Sequence, residues 1–148
     1  MKKNNQKEEH VKKEQKIKRI ADSLCELLIK EGFIVQRYDA YSTSSIYLKL
    51  DYGLCNSIRI SDHEGKKHLS YMYNVRGDIN HDYRTKIDYT RYYVSFKHYK
   101  RIIEYVKENR WNKWRKAGSI AAYKDLINIE KNLNKDSKGF WQKAYLVS

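Results

Sequence analysis

A chain of 148 residues suits a single domain and can bury a core without disulfide or metal staples. Its 41% apolar composition excludes wholesale disorder, and no uncharged apolar run approaches the roughly 20 residues of a membrane-spanning helix. The net charge of +13 predicts an anionic partner, nucleic acid or an acidic protein ahead of a membrane surface.

The first fifteen residues, MKKNNQKEEHVKKEQ, carry only Val11 to bury and read as a basic flexible arm over 1–15, leaving 16–148 as one domain. Ile17, Ile20, Ala21, Leu24, Cys25 and Leu28 then recur at helical spacing, and Gly32 supplies a stop, which predicts a helix over roughly 10–30. The lysine-rich start lacks the apolar stretch of a signal peptide, so a reducing cytoplasm is the expected location. Cys25 and Cys55 have no metal-ligand spacing and read as structural thiols.

From residue 33 the period changes to two. FIVQRY (33–38), SIYLKLDY (45–52), NSIRIS (56–61) and HLSYMYNV (68–75) predict strands. In the second, Ile46, Leu48 and Leu50 share one face, and Tyr47, Lys49 and Asp51 share the other. GLCN and DHEGKK separate neighbours as turns, the pattern of an antiparallel meander with one buried face. After a long polar connection (76–90), RYYVSF (91–96) reads as a last strand. A helix follows with Tyr99, Ile102, Ile103 and Val106 inward. Ser119 can cap a second helix over 119–133, and GFWQKAYLV (139–147) is an apolar tail that must dock somewhere. The predicted class is α+β: an N-terminal helix, an antiparallel meander sheet of four to five strands and two C-terminal helices.

The charge is not spread evenly. Residues 97–118 hold eight Lys/Arg against two Asp/Glu, nearly half of the net +13. Within KENRWNKWRKAG (107–118), a helical wheel puts Trp114 on the inward stripe and Trp111 on a flank shared with Lys100, Lys107 and Arg115. Arg110 falls on the inward side, which predicts that the helix ends or leaves the core near Asn109. An outward indole among cations can stack a base beside phosphates or form a protein–protein hot spot. The competing expectation is that Phe140 and Trp141 fold back over Trp111. The lysines of MKK and VKKEQKIKR (Lys2, Lys3, Lys12, Lys13) form a second basic element, a solvated face or an arm that meets nucleic acid. No RNP motif, zinc-finger spacing or helix-turn-helix pattern is present.

Catalytic patterns are weaker. Asp51 with Glu64 and Lys66 resembles the metal-binding pattern of restriction-type nucleases, but Glu64 sits where a hairpin turns rather than rigidly in a strand. His63, His68 and Asp62, and the pair His81–Asp82, lack further ligands at defensible spacing, and RGD at 76–78 reads as coincidence. No catalytic residue, metal site or cofactor is assigned.

The run SSIYLKLDYGLCNSIRISDHEGKKHLSYMYNV followed by RYYVSFKHYKRIIEYVKENR resembles small basic proteins of phages and mobile elements. The order of a YL strand, Ile58-Arg59-Ile60-Ser61-Asp62-His63 at a strand end, a later strand and Ile102-Ile103-Glu104 on a helix is similar to a phage-encoded anti-CRISPR family. Members of that family are small α+β inhibitors of the type II CRISPR effector nuclease, with a basic N-terminal arm and no enzymatic mode of action. The resemblance covers roughly residues 45–110 and implies a ribonucleoprotein target, disabled by binding. The sequence-level expectation is therefore a non-enzymatic inhibitor that docks through Lys2, Lys3, Lys12, Lys13, Lys100, Lys107, Trp111 and Arg115. The alternatives are an accessory protein of phage replication that binds RNA or DNA directly and, behind it, a small Mg-dependent nuclease.

Overall fold

A computed structural model describes residues 2–40, 45–61, 70–76, 89–133 and 144–147, with side chains in the first helix described for Lys12 and from Gln15 onward. That helix, α1, spans Lys2–Lys30. It is longer than the predicted 10–30, and residues 2–15, expected as a flexible arm, continue it as helical backbone. Lys, Gln and Glu are good helix formers, and Glu8–Lys12, Glu9–Lys13 and Glu14–Lys18 are spaced four apart with the acid first. The helix ends in a Schellman motif, where the Phe33 N–H reaches the Leu28 carbonyl at 3.0 Å and that of Gly32 (φ 88°) reaches Ile29 at 2.9 Å.

Six strands follow, β1 (Val35–Asp39), β2 (Ser45–Leu50), β3 (Ser57–Ser61), β4 (Ser70–Arg76), β5 (Tyr89–Ser95) and β6 (Tyr145–Val147). They form one antiparallel sheet in the order β5-β4-β3-β2-β1-β6. The meander of β1–β5 is the one expected from the alternating pattern. The sixth strand is new: the end of the apolar tail pairs with β1 through Val147 opposite Val35 and Tyr145 opposite Arg37. Three residues carry too short a pattern to register as a strand before the partner is known.

One face of the sheet holds the core. Ile46, Leu48 and Leu50, Ile58 and Ile60, Tyr71 and Tyr73, and Val94 pack there against Ile17, Ala21, Leu24 and Leu28 of α1. The second helix, α2 (Tyr99–Ala117), adds Ile102 and Val106 to the same cluster after a 3-10 turn at Phe96–His98. Arg37 is buried on this face and paired with Asp22 of α1 and Asp39 of its own strand. The third helix, α3 (Ile120–Leu133), starts where predicted, with the Ser119 hydroxyl accepting the Ala122 N–H at 3.0 Å.

Two expectations fail at α2. Tyr99, expected inward, stands at the first position of the helix, at the sheet's edge, and is 43% exposed. The helix also does not end near Asn109. It runs to Ala117, where Gly118 at φ 99° returns its N–H to the Trp114 and Arg115 carbonyls. The buried stripe continues through two polar residues, Asn109 and Lys113.

Candidate functional site

The surface of interest is the outward side of α2, and it is fixed from behind by polar contacts. Asn109 donates from Nδ2 to the Tyr73 hydroxyl at 2.7 Å and to Asn56 Oδ1 at 3.1 Å. That hydroxyl in turn donates to the Cys55 carbonyl at 2.7 Å. One turn on, Lys113 is 1% exposed and its Nζ reaches the Arg76 carbonyl at 2.6 Å, tying α2 to the end of β4. Asn109 and Lys113 continue the spacing set by Ile102 and Val106. That is the signal in the sequence, and their polarity hid it. Burial pushes the Cys55 thiol up to about 12, so it sits neutral inside this network.

A second layer holds the C-terminal half of α2. The Arg110 guanidinium lies 3.8 Å from the centroid of Phe33 and 4.9 Å from that of Trp114. Trp114 meets Tyr123 of α3 edge-on with centroids 6.3 Å apart. Arg110 therefore does point inward, as the wheel indicates, but as the filling between two aromatic rings rather than a break. Trp114, expected in the core, is half-buried at the α2–α3 seam. Asp51, expected on the outer face of its strand, is 2% exposed. The chain turns there through residues at positive φ, Asp51 (50°) and Tyr52 (55°), which rotates the carboxylate inward. It accepts the Ile34 N–H at 3.0 Å and the Tyr123 hydroxyl at 2.6 Å.

With these partners facing in, Lys107, Trp111 and Arg115 face out. They stand four residues apart, so each is separated from the next by about 6 Å along the helix. Trp111 is 56% exposed, Arg115 is exposed, and Lys107 is half-exposed with its Nζ 3.4 Å from Glu31 Oε2 at the end of α1. Glu104 and Glu108 are exposed on the same outward arc, so the ridge is mixed in charge rather than uniformly basic.

Of the eight predicted contact residues, Lys107, Trp111 and Arg115 stand together on α2. Lys100 shares the face but lies about 16 Å along the axis from Trp111, a separation that a wheel projection discards. Lys12 is exposed on α1; Lys2, Lys3 and Lys13 lie on the α1 backbone, and their side chains fall outside the described residues. So do Phe140 and Trp141, Glu64 and Lys66, Asp62, His63 and His68, His81 and Asp82, and Gly77 and Asp78 of the RGD triplet. Among the described residues no three His, Cys, Asp or Glu side chains gather in a way that could hold a metal ion, and no helix is long and apolar enough to cross a membrane. No family model matches the chain, and no curated protein or solved structure matches it either.

Proposed function

We propose that this is a non-enzymatic binding protein that inhibits a host nucleic-acid-processing complex in the bacterial cytoplasm, docking on it through the Lys107–Trp111–Arg115 ridge. The observation that carries the reading is an indole left 56% exposed between two cations on a helix pinned from behind. Burying an aromatic side chain of this size is worth roughly 2–3 kcal/mol, and tryptophan and arginine dominate protein-interface energetics. The rigid backing means that little ordering entropy is lost on docking. The alternation of Glu104, Lys107, Glu108 and Arg115 matches a partner that offers charge of both signs, which fits a protein or ribonucleoprotein surface better than a bare polyanion. The resemblance of residues 45–110 to phage-encoded inhibitors makes a guide-loaded CRISPR effector nuclease the proposed target.

Asp51, the acidic member of the nuclease alternative, supports the non-catalytic reading because both its oxygens are occupied by Ile34 and Tyr123.

Affinity capture from a bacterial lysate, with and without nuclease treatment, tests the reading. A protein target is expected to be retained after nuclease treatment and to be lost with Trp111→Ala, with binding weakened about tenfold or more. The same variant should unfold within about 0.5 kcal/mol of the parent, since an exposed side chain supports little of the fold. Undiminished capture by Trp111→Ala would remove the ridge from the interface.

A further inference from the structure

The seam between α2 and α3 opens into a cleft of about 330 Å³. Arg110 and Trp114 of α2 face Ile120 and Ile127 of α3 across it, and Asp51, 2% exposed, lies at its base beside Ile34. Each residue lining the cleft is among the described ones. A hollow of this size takes a small molecule, and its make-up, apolar walls with a few converging polar groups, is that of a ligand site.

Arg110 is the group in this cleft with an unmet demand. Its guanidinium is half-buried and held by the rings of Phe33 and Trp114, yet among the described residues it forms no ion pair and no hydrogen bond. The two nearest acids are committed elsewhere: Glu31 pairs with Lys107, and both oxygens of Asp51 accept from Ile34 and Tyr123. Gly32 at the lip has no side chain to cover the guanidinium, and a Cβ there would stand 3.7 Å from Nη1. Charges withdrawn from water ordinarily find a partner. A planar fork steadied by aromatic contacts loses little freedom when it binds a carboxylate through two parallel hydrogen bonds. Lys124, exposed at the rim and also without an ion pair among the described residues, adds a second positive charge.

We propose that the α2–α3 cleft binds a small organic carboxylate. The Arg110 fork takes the two oxygens, and the apolar body of the ligand lies against Ile34, Ile120 and Ile127. The charge complementarity calls for an anion, and the aliphatic walls call for one with an apolar part, which inorganic phosphate lacks. Burial lifts the Asp51 carboxyl at the base above its ordinary 3.8, which lessens its repulsion of an entering anion. The cleft is distinct from the outward ridge of α2 and stands independently of it.

Proton–nitrogen correlation NMR on the full chain, with phenylacetate as the probe, tests the assignment. Wild type is expected to show saturable shifts of the Arg110 Nε–H and Trp114 indole N–H signals, with a Kd of about 1 mM or tighter. Phenylacetamide keeps the ring and removes the charge, while inorganic phosphate keeps a charge and has no apolar body; each should bind at least about tenfold more weakly. Arg110→Met keeps the packed stem and should weaken phenylacetate binding about tenfold or more. Ile120→Trp, at an exposed position, fills the mouth of the cleft and should do the same with Arg110 in place. Trp111→Ala should leave binding unchanged. The same spectra show that each variant is folded. No saturable shift below about 10 mM, equal affinity for any of the three probes, or full affinity in either cleft variant would overturn the proposal. So would loss of binding in Trp111→Ala with retention in Arg110→Met, which would move the carboxylate onto the ridge.

Discussion

Asp51 shows how a single backbone turn changes the role of a residue. Burial outweighs the hydrogen bonds from Tyr123 and Ile34 and the nearby Arg110 charge, and it lifts the Asp51 carboxyl above its ordinary 3.8. A carboxyl raised in the folded state contributes stability that is fully present below its unfolded pKa and is lost as pH climbs through the folded value. Asp51→Asn keeps the shape and removes the titration. Thermal melts between pH 4 and pH 7 should therefore show the variant gaining on the parent as pH rises; a gap that stays constant would place the carboxyl at its ordinary value. Lys113 offers a simpler case. Lys113→Met retains the packed stem but leaves the Arg76 carbonyl without its 2.6 Å donor. Urea unfolding should show a loss of about 1–3 kcal/mol, the cost of removing a buried charged donor. Neither role was legible in the sequence. Strict alternation put Asp51 outward because it cannot anticipate a left-handed turn, and a lysine on an apolar stripe reads as the end of a core rather than as a tie into it.

Among the elements, the strands were the most legible, since Ile46, Leu48 and Leu50 and then Ile58 and Ile60 alternate without interruption and pack in the core. The site was legible in part. The outward direction of Trp111 follows from its angle relative to Ile102 and Val106, whereas the distance of Lys100 from it follows only from the rise along the axis. The α2–α3 junction depends on a feature that composition shows only as a glycine. At φ 99°, Gly118 closes α2 and redirects the chain so that Trp114 can meet Tyr123. A Cβ there would meet nothing within 4 Å, so Gly118→Ala tests backbone strain alone. Chemical denaturation should show a loss of about 1–2 kcal/mol, the cost of the left-handed region for a residue with a Cβ. No loss would mean that the junction relaxes to another turn.

For the molecule as a whole, net charge conceals how differently its cations are used. Of the eight Lys/Arg in 97–118, Arg110 and Lys113 are consumed inside, between Phe33 and Trp114 and on the Arg76 carbonyl. Lys107 is steadied by Glu31. Arg115 stands beside Trp111 on the outward side of α2, and Lys97, Lys100 and Arg101 are exposed where β5 turns into α2.

The pairing of β6 with β1 sets a further order on the molecule. Each of the other strand pairs joins neighbours in sequence, but Val35 must wait for Val147. Contacts that span so much chain are entropically late to form, and a three-residue latch is quick to release. In native-state hydrogen exchange, the β6 amides should therefore lose protection through a local opening while those of β3, flanked on both sides by sequence neighbours, hold until global unfolding. In the latch-open state β1 becomes the border of the sheet, where a passing strand could add itself.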